Sequence, residues 1–177
     1  DELNETPIES ALGIITGSAD IEGNIGTEID MNDLIRKGNI KFDGAGLLLR
    51  NQLHFEEIHG EMNIEGKKIH VPEIKLQLNK NNLTYEGSIS GLVGFINRQS
   101  ILELNGAMNS NYFDLGKFLN IESSDSATNF ELDDSIRLNL TFNSEEVVQD
   151  KFYAEKVSGK LKKYGNRVEL HDFSLIT

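Results

Sequence analysis

The sequence feature that most constrains the fold is the stretch from Phe55 to Ile89, which has the pattern of three consecutive antiparallel strands. Gly66-Lys67 can form a two-residue hairpin turn, because glycine accepts the positive φ that such turns require. That turn sets Ile64 opposite Ile69, and a shift of one residue would move every side chain to the other face. The predicted register places five apolar side chains on the same face of the sheet: Ile58, Met62, Ile64, Ile69 and Val71.

The phase of the alternation changes after Val71, where Pro72-Glu73 interrupts the second strand. This predicts a bulge or kink. Proline cannot donate a hydrogen bond to the neighbouring strand, and one extra residue in the strand returns the later apolar side chains to the apolar side. The segment 79–82 forms the next turn. The apolar side then continues with Ile74, Leu76, Leu78, Leu83, Tyr85, Gly87 and Ile89.

The same hairpin pattern returns from Val157 to Leu175, with Gly165 lying 99 residues after Gly66. No gap is needed, and the phase break returns at His171-Asp172. Two interpretations stay open. Residues 135–177 are an internal repeat of residues 38–90, or the similarity is only the sequence pattern that any two hairpins of equal length share.

The remaining chain predicts short strands and helices around these hairpins. We expect strands within Leu12–Ile29, Ile40–Phe42, Leu47–Leu49 (buried on both faces), Ile101–Met108 and Ile136–Phe142. Short helices are expected at Met31–Lys37 and Tyr112–Leu119, and either a helical turn or a wide connection at Gly91–Asn97. Loops are expected at Asn120–Asn129 and Asn143–Asp150. The predicted class is mainly β: a curved antiparallel sheet, as a groove or an open sandwich, with two or three short helices. We expect one elongated domain over residues 1–177 that is a section of a longer protein.

Composition restricts the function. The net charge of −12 argues against nucleic-acid binding, which needs clustered Lys and Arg. The chain has no cysteine, which excludes disulfides and thiolate chemistry. No signal peptide and no apolar run long enough to cross a bilayer is present.

Candidate catalytic and metal-binding residues do not converge in the sequence. The four histidines, His54, His59, His70 and His171, share no close spacing of the kind that zinc ligands need. Glu73 and Asp172 occupy equivalent places at the two phase breaks, where we expect them to be exposed to water. No GxSxG motif surrounds any serine. We therefore predict a protein that is not an enzyme, with no catalytic residues, no metal site and no cofactor.

The apolar side of the sheet is the remaining candidate for a site. A sheet with one apolar face must cover that face. It is either sealed as a dry core, which the pattern alone favours, or left partly open as a groove for acyl chains. The residues predicted to form it are Ile58, Met62, Ile69, Val71, Ile74, Leu76, Leu102, Leu104, Leu138, Leu140, Leu161, Leu170 and Phe173.

Three segments of the chain resemble the C-terminal part of the AsmA-like family. They are the strand and turn Tyr85–Ile96, the strand Leu102–Gly106, and the helix start from Ser110 to Leu119, which has the S-x-x-h-D-L-x-x-h-L pattern. The run LHFEEIHGEMNIEGKKIHV also resembles the family's l-h-F-x-x-I-x-G hairpin. The resemblance covers residues 36–119 and, more weakly, 130–176, and its motifs are glycine and apolar patterns.

This resemblance implies a non-enzymatic β-groove domain in the periplasm of a Gram-negative bacterium. AsmA-like proteins are tethered to the inner membrane, and they are implicated in phospholipid transport and outer-membrane biogenesis. The partners implied are phospholipids or fatty acyl chains and other envelope proteins. The alternative is a closed β-sandwich that serves as a structural or protein-interaction module of the cell envelope.

Overall fold

The computed structural model describes residues 8–21, 35–49, 54–96, 100–115, 134–165 and 167–177. Its strands form one open, curved sheet in which the spatial order equals the sequence order. The strands are β1 (Ile8–Ile21), β2 (Ile35–Leu49), β3 (His54–Glu65), β4 (Lys68–Leu78), β5 (Asn81–Ser90), β6 (Leu102–Asp114), β7 (Ile136–Gln149), β8 (Phe152–Tyr164) and β9 (Arg167–Ile176), and one short helix, α1 (Leu92–Ile96), lies between β5 and β6. The prediction of a mainly β protein with a curved sheet is confirmed. The described strands make a single sheet, so a closed two-sheet sandwich is wrong.

One pair of neighbours departs from the antiparallel pattern. β6 and β7 run parallel, from Leu102 opposite Ile136 to Asp114 opposite Val148. Parallel neighbours need a crossover connection, since the second strand must start at the same end as the first. The chain from 115 to 135 makes that connection. Strand patterns do not encode direction, and the sequence predicted only a mostly antiparallel sheet.

The register of the first hairpin is confirmed. Ile64 lies opposite Ile69, and Asn63 lies opposite His70. The bulge predicted at Pro72-Glu73 is also present. The pairing of β4 shifts there against both neighbours, between Glu61 and Asn63 on β3 and between Val71 and Ile74 on β4 itself.

The second hairpin has the same register as the first, displaced by 99 residues. Leu161 lies opposite Leu170, and the left-handed φ of 50° at Glu57 recurs at Lys156. β9 also has a register shift, one position later than that of β4, and its Asp172 has a φ of 52° whereas the equivalent Glu73 has no positive φ. The two hairpins therefore share their length and the bulge at Glu57 and Lys156, and they place the second shift within one residue of each other. Whether the longer segments 38–90 and 135–177 form one repeat stays a prediction.

The helix predictions hold only in part. The helical turn expected at Gly91–Asn97 is α1, with Phe95 buried beneath it. The helix expected at Met31–Lys37 is wrong over residues 35–37, which belong to β2. The helix expected at Tyr112–Leu119 starts later than predicted, because residues 112–114 belong to β6 and Leu115 is helical. The continued pairing of β6 with β7 outweighs the capping signal of Asn111. Residues 31–34 and 116–119 lie outside the described part of the chain.

The acidic loop predicted at Asn143–Asp150 is also wrong. β7 continues to Gln149 and ends in a turn at Asp150, whose φ is 51°. The alternation breaks inside the strand where the Ser144 hydroxyl donates to the Glu146 carbonyl at 2.7 Å, and two consecutive side chains face solvent there. The strand predicted at 47–49 is part of β2, but Leu47 and Leu48 are half-buried rather than buried on both faces. The predicted loop 120–129 lies outside the described residues, as does 22–29 beyond the end of β1.

Candidate functional site: the apolar face of the sheet

One face of the sheet, here called the apolar face, carries the two clusters of buried apolar side chains that the described residues form. Its largest group of contacting side chains extends from β2 to β7 and includes fully buried residues on strands that are not neighbours. The buried members are Ala45, Ile58, Ile69, Val71, Ile74, Tyr85, Ile89 and Leu140. The apolar face is therefore the inner side of the curved sheet.

A second cluster continues the apolar face toward the other ends of the strands. It is built from Leu78, Leu83, Phe113, Val147, Ala154 and Val157. Phe55, Leu76 and Met108 pack against both clusters, so the two are continuous. Because β6 has 13 residues, the face runs for about 40 Å along the strands at roughly 3.4 Å per residue.

The structure places all thirteen predicted site residues on this face, at three levels of exposure. Ile58, Ile69, Val71, Ile74 and Leu140 are buried in the first cluster. Met62, Leu76, Leu102, Leu104 and Leu138 are half-buried and pack against it. Leu161 is half-buried on β8, and Leu170 and Phe173 are exposed on β9.

The exposure of the apolar face rises toward one edge of the sheet. Leu140, Leu161 and Leu170 lie opposite one another on β7, β8 and β9. Leu140 is 2% exposed and Leu170 is 64% exposed, with the half-buried Leu161 between them. The face is thus sealed around β4 and opens to solvent along β8 and β9.

Glycines bring β5 and β6 unusually close beneath the sealed part. A Cβ on Gly106 would lie 2.1 Å from the Glu86 carbonyl oxygen, and Gly87 faces Gly106 directly. The Tyr85 hydroxyl donates toward the Ser88 carbonyl at 3.0 Å and lies 3.2 Å from that of Asn105. Burial raises the pKa of Tyr85 to about 12. The phenol thus fills the space that two missing side chains leave, and it stays neutral there.

One buried lysine of the described residues lies on the inner side near the open edge. Lys163 is 2% exposed, and its Nζ donates to the carbonyls of Ile136 at 3.1 Å and Gly165 at 2.8 Å. Backbone carbonyls therefore stabilise this buried ammonium group at the end of β8, where it ties the β8–β9 turn to the start of β7.

The opposite face is polar and is joined by ladders of side chains across the strands. Asn139 donates to Asn105 at 3.3 Å, and Asn143 donates to Asn109 at 2.9 Å. At the bulges, Glu73 and Asp172 are exposed, and the Lys160 ammonium 2.8 Å from Asp172 lowers the pKa of that carboxyl. Among the described residues, no group of three His, Asp or Glu side chains is placed to hold a metal ion.

Several residues of the apolar face were not predicted as site residues. Phe113, Val147 and Ala154 belong to the second cluster. From the sequence, the segment of Phe113 was predicted as a helix and that of Val147 as a loop, and the segment of Ala154 was left unassigned. The signal that marks them is two-residue phase breaks: Ser110 and Ser144 are both buried, with two exposed residues after each and then a buried apolar side chain. Reading the alternation through such breaks would have extended both strands.

No family model, curated protein or solved structure matches this chain. The structure also contains no helix, within its described residues, that is long and apolar enough to cross a membrane. The AsmA-like resemblance therefore remains a prediction from the sequence.

Proposed function

We propose that this domain is a non-enzymatic acyl-chain binding module, in which the open part of the apolar face holds the tails of a phospholipid or fatty acid. The observation that supports this most is the gradient of exposure from Leu140 through Leu161 to Leu170. An apolar surface that continues without a break from a packed interior to solvent gives an acyl chain a place to lie.

The energetics of such binding depend on apolar area rather than on specific polar contacts. Each methylene group removed from water contributes about 0.8 kcal/mol, so about ten methylenes contribute roughly 8 kcal/mol before the costs of association. The net charge of −12 disfavours adsorption to anionic headgroups. We infer that the tails, rather than the headgroups, supply the affinity.

The more specific proposal is a domain of an AsmA-like protein. It would lie in the periplasm, tethered to the inner membrane in the full-length protein, and take part in phospholipid transport or outer-membrane biogenesis. The sequence resemblance supports this assignment, and the open curved sheet with one apolar side is consistent with a groove. Other envelope proteins are the further partners that this role implies.

Titration with a fluorescent fatty acid, whose emission rises in an apolar environment, tests the proposal. We compare Leu161→Gln with Lys162→Gln, since adjacent residues of β8 face opposite sides of the sheet. Lys162 lies opposite Glu169 and Asn139 on the polar face. Leu161→Gln is expected to weaken binding by about tenfold, through loss of apolar contact worth about 1–2 kcal/mol, and Lys162→Gln is expected to bind as the unchanged chain does.

Thermal unfolding followed by circular dichroism controls for loss of the fold in each variant. If the folded, unchanged chain produces no fluorescence increase at micromolar concentration, the acyl-chain proposal is wrong. Equal weakening by both variants would also contradict it, because binding would then not distinguish the two faces.

A protein-interaction module is the second candidate, and a specific observation favours it. Both edges of the sheet carry exposed apolar side chains, including Leu12 at 75% and Ile14 at 60% on β1. Edge strands with such side chains are sites where other chains add a strand. The fatty-acid titration separates the candidates, since an interaction module gives no response to it.

A further inference from the structure

A bulge in β2 inserts one residue that has no place in the pairing of the sheet. Asp43 lies opposite His59, and the next pair along the two strands is Ala45 with Ile58. Gly44, between them, has no opposite residue on β1 or on β3. The extra residue of a bulge is left unpaired in the ladder. The Gly44 N–H therefore needs an acceptor other than the backbone of a neighbouring strand.

The imidazole of His59 supplies that acceptor. The Gly44 N–H donates to Nδ1 of His59 at 3.3 Å. A ring nitrogen that accepts a hydrogen bond carries no proton, so this contact assigns the neutral tautomer with its proton on Nε2. In this tautomer Nε2–H donates toward a carboxylate oxygen of Glu57, 3.4 Å away. Both ring nitrogens thus have a partner while the ring is neutral.

Protonation of the ring changes the role of Nδ1 from acceptor to donor. An imidazolium ion carries a proton on each nitrogen, so it has no lone pair to offer the Gly44 N–H. The Asp43 carboxylate is an acceptor within reach, since its Oδ1 lies 3.4 Å from Nδ1. A charged ring between Asp43 and Glu57 has a carboxylate beside each nitrogen. Protonation thus exchanges the backbone partner of Nδ1 for a side-chain partner.

The other charged groups beside His59 come from all three strands around it. Lys75 lies opposite it on β4, and the Lys75 ammonium is 3.5 Å from the Glu73 carboxylate. Glu61 follows it by two residues on β3 and lies 4.0 Å from the Lys41 ammonium of β2. Each of these ammonium groups has a carboxylate partner, which reduces its repulsion of a charged imidazole.

The second hairpin lacks both the extra residue and the histidine. β7 and β8 pair in the equivalent register, but Asn143 and Ser144 are consecutive there, whereas Gly44 is inserted at this point of β2. Ser158 occupies the place of His59, 99 residues later. The imidazole is thus present in the hairpin that has an extra N–H to satisfy, and it is replaced in the hairpin that does not.

We propose that His59 is a pH-sensitive switch of the β2–β3 bulge. While the ring is neutral, Nδ1 holds the Gly44 N–H. Once the ring is protonated, Nδ1 turns to the Asp43 carboxylate and the Gly44 peptide is released. Ala45 and Ile58, which adjoin the switch, are buried in the first cluster of the apolar face. Acidification therefore changes the backbone beside two residues that seal this face.

NMR of the isotope-labelled chain between about pH 8 and pH 5, the range in which histidines change charge, tests the switch. The ring nitrogen shifts are expected to identify the Nε2–H tautomer of neutral His59. The amide proton of Gly44 and the methyl group of Ala45 are expected to shift with the same midpoint as the ring. The protection factor of the Gly44 amide against hydrogen exchange is expected to fall by about two- to fivefold in acid, the effect of one exposed hydrogen bond.

Two substitutions of His59 separate the acceptor from the charge. His59→Asn places an amide Oδ1 near the position of Nδ1, so the Gly44 amide is expected to keep its protection throughout the titration. His59→Ala removes the acceptor, and the Gly44 amide is expected to have at neutral pH the low protection that the unchanged chain shows in acid. The matched control is His70→Asn on β4, an exposed histidine whose loss is expected to leave the titration of Gly44 unchanged.

Three results would overturn the proposal. They are a neutral His59 ring with its proton on Nδ1, a Gly44 amide that stays in place while the ring titrates, and a Gly44 amide that still titrates in His59→Asn. Lipid does not enter any of these measurements, so they fail or succeed independently of the proposed function.

Discussion

At the scale of the residue, the close approach of β5 and β6 depends on the absence of a side chain at Gly106. A Cβ there would lie 2.1 Å from the Glu86 carbonyl oxygen, a backbone atom that cannot rotate away. We expect Gly106→Ala to lower the free energy of unfolding by about 2–3 kcal/mol, the upper part of the range of about 1–3 kcal/mol for overpacking a well-packed interior. Urea unfolding followed by circular dichroism measures the change.

Gly66 provides the matched control, since its constraint is conformational rather than steric. Its φ is 58°, and no atom lies within 4 Å of a Cβ built on it. Asparagine adopts this left-handed conformation readily. Gly66→Asn is therefore expected to change the free energy of unfolding by less than about 0.5 kcal/mol. A loss as large as that of Gly106→Ala would show that the steric clash at position 106 does not account for the difference between the two positions.

Tyr85 makes stability depend on alkaline pH. Its pKa is about 12 in the folded chain because burial disfavours the phenolate, against an ordinary value of 10.0. The neutral form is favoured on folding, so the contribution of Tyr85 is complete below pH 10 and is lost as the pH rises toward 12. At pH 8 we expect Tyr85→Phe to cost about 1 kcal/mol, from the lost hydrogen bond to the Ser88 carbonyl.

Denaturant titrations of both proteins at pH 8 and pH 11 measure this dependence. The stability difference between the unchanged chain and Tyr85→Phe is expected to narrow at the higher pH, because only the unchanged chain exposes on unfolding a phenol that ionises at that pH, and this ionisation favours its unfolded state. A difference that stays constant would mean that the Tyr85 hydroxyl is hydrated in the folded state.

At the scale of the element, the bulge of β8 places a lysine in a conformation that favours glycine. Lys156 has a φ of 50° and its side chain is exposed. Lys156→Gly is expected to raise the free energy of unfolding by about 0.5–1 kcal/mol, because a residue with a Cβ is strained there by roughly 1–2 kcal/mol. Lys162→Gly, in the same strand, is expected to lower it by about 0.5–1 kcal/mol, since Gly weakens an extended strand.

The opposite signs of one substitution at two positions make this prediction specific. Thermal unfolding midpoints of the two variants are enough to determine the signs. Destabilisation by both would show that Lys156 is not strained by its backbone, and that the bulge shared with Glu57 does not restrict which residues can occupy it.

The elements also show how far the sequence determines the fold. The register around Gly66-Lys67 followed from the turn and the alternation together, because both agree on one pairing. The bulge at Pro72-Glu73 followed from the change of phase. The ends of β6 and β7 did not follow, since two-residue breaks after Ser110 and Ser144 imitate a loop. The parallel direction of β7 could not be predicted from the sequence either, because it depends on the path of the chain that connects β6 to β7.

At the scale of the whole molecule, the sequence predicted which residues share the apolar face but not where that face opens. Alternation assigns Leu140, Leu161 and Leu170 to the same side equally well. Their different exposures follow from the position of each strand in the sheet order, with β9 at an edge. The candidate site is thus a property of the topology, which single-strand patterns do not contain.

Native mass spectrometry of the chain incubated with a phospholipid tests the central claim most directly, because it counts bound lipids on the folded protein. The account predicts a protein species carrying at least one phospholipid adduct, which Leu161→Gln diminishes and Lys162→Gln does not. A folded chain that carries no phospholipid at any ratio of lipid to protein would contradict it.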